Sequence, residues 1–129
     1  MKWFKKKKPN KTAFTDSGHY WEQRYRAGKN SGSGSYGRLA EFKADVLNSF
    51  VADHDISSIV EWGCGDGNQL KLANYKSYIG LDVSLKAIDL CKSLFEADQN
   101  KKFLHIDASA SNEKIEAISG QVAISLDVI

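Results

Sequence analysis

Ile59-Val60-Glu61-Trp62-Gly63-Cys64-Gly65-Asp66-Gly67-Asn68 is the stretch on which the reading of this chain turns. Ile59 to Trp62 has the apolar character of a buried strand and carries an acid, Glu61, two residues before the first glycine. Glycines at 63, 65 and 67 then lead into polar residues that open a helix. Alternate glycines permit positive φ and let a ligand approach a backbone that has no Cβ. A strand–loop–helix unit also aims the free N–H groups of a helix N-terminus at whatever lies over the loop. That geometry suits a nucleotide-like cofactor at the carboxyl end of a parallel sheet.

Downstream, the pattern repeats. Gln69 to Tyr75 predicts a short helix, and Tyr78 to Val83 a second buried strand that ends in Asp82. Ser84 is suited to cap a helix from Leu85 to about Ala97, with its apolar side at Ala87, Ile88, Cys91, Leu94 and Phe95. Phe103 to Ile106 predicts a third strand, before Asp107 and Ala108. A polar loop or short helix over Glu113 to Ile118 follows, then a fourth strand from Val122 to Leu126, closing on Asp127. Strands alternating with helices predict an α/β fold, a Rossmann-like parallel sheet with flanking helices. Glu61, Asp82, Asp107 and Asp127 then stand at the carboxyl ends of four parallel strands. Four acids scattered in sequence become one ligand site.

Upstream, Leu39, Phe42, Val46, Leu47, Phe50 and Val51 recur at helical spacing and predict an amphipathic helix covering the sheet. Phe14 to Gly37 crowds Tyr20, Trp21, Tyr25 and Tyr36 ahead of a Ser/Gly run, which reads as a lid over the site or as a helix packed outside it. Residues 1–13 form a basic tail, with six lysines and no acid by Lys11. A solvated terminus accounts for such a run, and weak attraction to anionic lipid or nucleic acid is the alternative.

The length of 129 residues allows one domain, and 42% hydrophobic with 26% charged residues is ordinary for a globular chain. The net charge of +2 conceals a body with 12 Lys and Arg against 16 Asp and Glu once the tail is set aside. A specific nucleic-acid binder carries its positive charge on the folded face, so none is expected as a partner. No apolar run reaches membrane-spanning length, and a cytoplasmic location is expected. Cys64 and Cys91 do not form a disulfide framework, and no Cys/His cluster predicts a metal. Cys64 has no neighbouring histidine in sequence and reads as structural, as does His105.

A dinucleotide fingerprint would place its third glycine at position 68, where this chain has Asn68. The observed pattern, Glu61 followed by Gly63, Gly65 and Gly67, resembles motif I of the class I S-adenosylmethionine (SAM)-dependent methyltransferases. The resemblance implies that Glu61 and the loop from Gly63 through Cys64, Gly65 and Asp66 to Gly67 face the methionine end of SAM. A carboxylate is useful beside that cation and repelled by a diphosphate. By position, Asp82 with Val83 would meet the ribose, Asp107 and Ala108 the adenine, and Leu126 the cofactor beside the fourth strand. Trp21 and Tyr25 would shield the sulfonium from water. Asp127 would serve as a base toward the acceptor or would orient the methionine moiety.

The implied activity is methyl transfer to a small molecule or sugar. A non-catalytic SAM-binding module and a nicotinamide-dependent oxidoreductase are the other readings, the last disfavoured by Asn68 and Glu61. The resemblance covers about residues 20–129, with the SAM-binding unit at 38–129. Class I domains have seven strands, so the chain is expected to carry an incomplete sheet. Its fourth strand would then be an open edge, prone to self-association.

Overall fold

The computed structural model describes residues 15–106, 115–116 and 118–126; the basic tail, Asp107, Ala108 and Asp127 lie outside these. Four strands, β1 (Ser58–Trp62), β2 (Ser77–Asp82), β3 (Lys101–His105) and β4 (Val122–Ser125), form one sheet in the order β3-β2-β1-β4. All three pairings are parallel, with Glu61 opposite Gly80 on one side and Ile124 on the other. The chain steps outward from β1 to β3 and returns to the far side of β1 for β4. That reversal makes the carboxyl ends of β1 and β4 a topological switch point, where ligands bind in open α/β sheets. The expected strands are all present, displaced by one or two residues at their ends.

Among the described residues, helices α1 (Ser17–Arg26), α2 (Gly37–Asp53) and α3 (Leu85–Leu94) accompany the sheet. The core is one cluster that joins Ile59, Tyr78 and Phe103 of the sheet to Ile88 and Cys91 of α3, Val51 of α2 and Leu70. Tyr78 stacks on Tyr75 at 5.8 Å, and Phe103 stacks on Phe95 at 5.7 Å. Each large apolar side chain fully buried in such a cluster is worth about 1.5–3 kcal/mol. Gln121 sets the start of β4. Its Oε1 accepts from the Ser57 and Ser58 N–H groups, and its own N–H donates to Ser58.

Two expectations need correction. The face α2 turns inward is Ala40, Ala44 and Val51, while Leu39, Phe42, Val46 and Phe50 are exposed, Phe42 by 67%. Two apolar stripes fit the helical period, and tertiary contact chooses between them. The alanines let the helix come close enough for Gln69 Nε2 to donate to the Ala40 carbonyl. The helix expected from Gln69 to Tyr75 is a single 3₁₀ turn, Leu70–Leu72. Asn48 of α2 donates to the Leu72 carbonyl and accepts from the Asn74 N–H, which takes up backbone groups a longer helix would use.

The third glycine of the loop answers to packing. Gly67 has φ +85, and a Cβ there would lie 3.0 Å from Phe95, 3.2 Å from Cys91 Sγ and 3.3 Å from Leu94. The loop must press against α3 at this point. Gly67→Ala is expected to lower stability by about 1–3 kcal/mol through crowding and an unfavourable backbone conformation, read by thermal melt.

Candidate functional site

The glycine loop is held from beneath by the end of β2. The Gly63 and Cys64 N–H groups both donate to the Leu81 carbonyl, at 2.7 and 3.0 Å. Asp82 continues the clamp: its Oδ2 accepts from the Gly65 N–H and its Oδ1 from the Ser84 N–H, both at 2.9 Å. Burial raises the Asp82 carboxyl above its ordinary value, and the N–H groups of Ser84, Gly65 and Val83 oppose that rise. Ser84 then caps α3 by accepting from the Ala87 N–H, as its position predicts. From the helix side, Cys91 Sγ donates to the Gly65 carbonyl.

Residues 17–36 fold over this loop. Asp16 caps α1 by accepting from the His19 N–H at 2.7 Å. Glu22 Oε2 accepts from the Ser84 hydroxyl at 2.7 Å and the Lys86 N–H at 3.1 Å, so α1 docks on the N-terminus of α3. Tyr25 is buried and shares a hydrogen bond with Ser31 Oγ, which accepts from the Asp66 N–H. Asp66 Oδ2 in turn accepts from the Ser31 N–H at 3.0 Å and the Tyr36 hydroxyl at 2.6 Å. Burial, reinforced by that bond, pushes the Tyr36 hydroxyl up to about 12. Asn68 Nδ2 donates to the Ser35 carbonyl.

The Ser/Gly run is therefore a bonded cover containing a 3₁₀ turn, Ser33–Ser35. The Asp66 carboxylate is spent on holding this cover rather than facing the cavity. Gly65 shows the same close approach. Its φ is +62, and a Cβ there would strike Ser31 Oγ and lie 3.1 Å from the Tyr25 hydroxyl. The constraint on this glycine comes from the cover.

Between loop, cover and strand ends lies a cavity of about 280 Å³. Every strand end supplies part of its wall: Glu61 and Trp62 from β1, Leu81 and Asp82 from β2, and Ile106 and Leu126 just beyond β3 and β4. Gly63, Cys64 and Gly65 line it from the loop, Val83 from the turn into α3, and Trp21 and Tyr25 from α1. The Trp21 and Tyr25 rings stack at 5.9 Å. Of the expected site residues, Asp66 and Gly67 are turned elsewhere, and Asp107, Ala108 and Asp127 lie outside the described residues. The sequence reading missed Ser31, Ser35 and Gln69, which also line the cavity. The serines were hidden inside a run whose composition resembles a linker. Gln69 had the look of an ordinary first-turn residue.

Glu61 is 5% exposed and its Oε1 accepts from the Tyr78 hydroxyl at 2.6 Å. Burial pushes its carboxyl up to about 7, against the lowering effects of Tyr78 and of the Lys43 charge. The thiol of Cys64, in contact with Cys91 and buried, is also held well above its ordinary value, which suits a packing residue rather than a nucleophile. Gln69 Oε1 is buried and finds no donor among the described residues. No group of three or more ligating side chains that could hold a metal occurs among the described residues, and no described helix is long and apolar enough to cross a membrane.

The parallel sheet, its strand order and its flanking helices define the Rossmann-like fold of the class I SAM-dependent methyltransferases. The N-methyltransferase NodS from Bradyrhizobium japonicum, in complex with S-adenosylhomocysteine (SAH), is similar over 74% of this chain and 52% of its own, with a TM-score of 0.57 at 19% identity. The [4+2]-cyclase SpnF is similar over 73% of this chain and 43% of its own, with a TM-score of 0.54 at 17% identity. The methyltransferase domain of bacterial CtHen1 matches over 64% and 48%, with a TM-score of 0.50 at 14% identity. The likeness is one of fold, and this chain spans about half the length of the structures it matches. No family model matches the sequence, and neither does any curated protein.

Burial makes the charged form of Glu61 costly to the fold. The folded chain holds the Glu61 proton more tightly than the unfolded chain, with values of about 7 against 4.5. Unfolding between those values releases a proton, so this contribution to stability is complete below about pH 4.5 and is lost as pH rises through 7. Glu61→Gln keeps an acceptor for Tyr78 without the charge. It is expected to be more stable than wild type at pH 8, by on the order of 3 kcal/mol. Thermal melts should show that advantage vanishing toward pH 4.

Proposed function

We propose that the cavity takes SAM and that the chain supplies the cofactor-binding half of a methyl transfer to a small molecule or sugar. The observation that carries this is Glu61, a buried carboxylate on the wall of a cavity roofed by a glycine loop and two aromatic rings. A cationic ligand compensates a carboxylate held there, whereas a dinucleotide would bring a diphosphate against it. Gln69, which lines the same cavity and keeps a buried acceptor at Oε1, fits a ligand that brings a donor. Because the fold also occurs in a [4+2]-cyclase, the reading rests on the site and not on the sheet.

SAM would supply an already activated methyl group, whose displacement needs alignment and exclusion of water more than acid–base chemistry. This chain's residues divide that work. Asp82 retains lone pairs beyond its bonds to backbone N–H groups and is placed to accept from ribose hydroxyls. Glu61 serves the methionine end, and Val83 and Leu126 give apolar wall. Trp21 and Tyr25 exclude water, and release of the Glu22 and Asp66 contacts would open the cover for exchange. Asp107 and Ala108 remain the proposed adenine contacts, and Asp127 the proposed base or orienting group.

Among the described residues β4 pairs with β1 alone, and it offers an unpaired outer edge with neither lysine nor proline to deter pairing. We propose self-association through that edge, in a protein working in the cytoplasm.

Calorimetric titration tests the cofactor assignment. Wild type is expected to bind SAH in preference to NAD. Asp82→Ala should weaken SAH and 5′-methylthioadenosine alike, by roughly 1–3 kcal/mol. Glu61→Gln should weaken SAH and spare methylthioadenosine, which has no amino acid; equal losses in both variants would reverse the two assignments. Light scattering is expected to show oligomers of the wild-type chain, and a monodisperse monomer would remove the edge proposal.

A further inference from the structure

We infer that Gln69 is a ligand-binding residue whose Oε1 accepts from the ammonium group of an amino acid moiety in the cavity, alongside Glu61. This rests on the SAM reading above and names a residue that neither the glycine motif nor the acid pattern assigns.

The geometry of the amide supports it. Gln69 Nε2 donates to the Ala40 carbonyl at 2.9 Å, and a backbone carbonyl can only accept, so the orientation of the amide is determined. Gln69 lines the cavity, and Oε1 is the atom left over, buried and without a donor among the described residues. Buried acceptors are almost always paired, because a lost donor leaves the whole desolvation penalty standing. The missing partner is therefore a donor that arrives with a ligand.

Its neighbourhood specifies the kind of donor. Gln69 is tied to Ala40 of α2, and Lys43, one turn further along that helix, acts on the charge of Glu61. Gln69 and Glu61 line the same cavity, and each carries an acceptor oxygen. One of the two amide N–H donors is used on Ala40. An alkylammonium brings three donors and a positive charge. A carboxylate or phosphate would bring only further acceptors. The Tyr78 hydroxyl is committed to Glu61 and supplies nothing to the amide.

The test is a two-by-two comparison by calorimetry, with wild type and Gln69→Leu titrated with SAH and with its desamino analogue. Wild type should bind SAH more tightly than the desamino compound. Gln69→Leu should lose roughly tenfold to a hundredfold for SAH, the range for a hydrogen bond to a charged group, and nothing for the desamino compound. General damage to the fold would weaken both ligands together. If the leucine variant does not fold, Gln69→Met, similar in length and unbranched, carries the same comparison. Unchanged SAH affinity in the variant, or equal losses for both ligands, overturns the role of Gln69 while leaving the SAM reading standing. A wild-type chain that binds neither ligand overturns that reading and this inference with it.

Discussion

The carboxylate of Asp82, gripping the Gly65 N–H with one oxygen and the Ser84 N–H with the other, joins the two turns between which the cavity lies. It fixes the glycine loop after β1 against the turn that starts α3. Everything above follows from that bridge. Ser84, so positioned, caps α3 and donates its hydroxyl to Glu22, which seats α1. The loop, so positioned, offers Asp66 to Ser31 and Tyr36, which seats the rest of the cover. Backbone N–H bonds to a buried carboxylate are charge-assisted and stronger than neutral ones, which is why one side chain can organise so much.

Glu61 and Asp82 stand on adjacent strands, and burial raises the proton affinity of both, with the Asp82 charge adding to the rise at Glu61. Two such carboxylates do not improve a fold. A buried charge costs stability unless it is paired. Asp82 recovers part of that cost through backbone donors, and Glu61 through the Tyr78 hydroxyl. The remaining imbalance, with Gln69 Oε1 also lacking a donor among the described residues that line the cavity, is what a cationic donor ligand would relieve. Strain of this kind marks a binding site more plainly than the presence of a cavity does.

The cover shows how a composition can mislead. Ser31 to Gly37 has the make-up of a flexible linker, yet Ser31, Ser35 and Tyr36 each bond to Asp66 or Asn68 of the loop. Small residues serve here because Gly65 and Ser31 approach so closely that a Cβ on the glycine would collide. Linker and snug cover draw on the same residue types for opposite reasons, one for freedom and the other for contact.

Local pattern was enough for the sheet and for half of the site. Apolar runs ending in acids, with glycines at 63, 65 and 67, determined four parallel strands and brought Glu61 and Asp82 to one edge, because parallel connection leaves every carboxyl end on the same side. Tertiary structure alone decided the direction each polar group faces. Periodicity could not choose between the two stripes of α2, since Leu39, Phe42, Val46 and Phe50 fit a helix as well as Ala40, Ala44 and Val51; close approach to the loop chose the alanines. Nor could spacing show that Asp66 would turn to the cover, that Gly67 would be required by Phe95, or that Gln69 would keep one end free. Those outcomes depend on partners about 30 residues away in sequence, and only packing brings them within hydrogen-bonding distance.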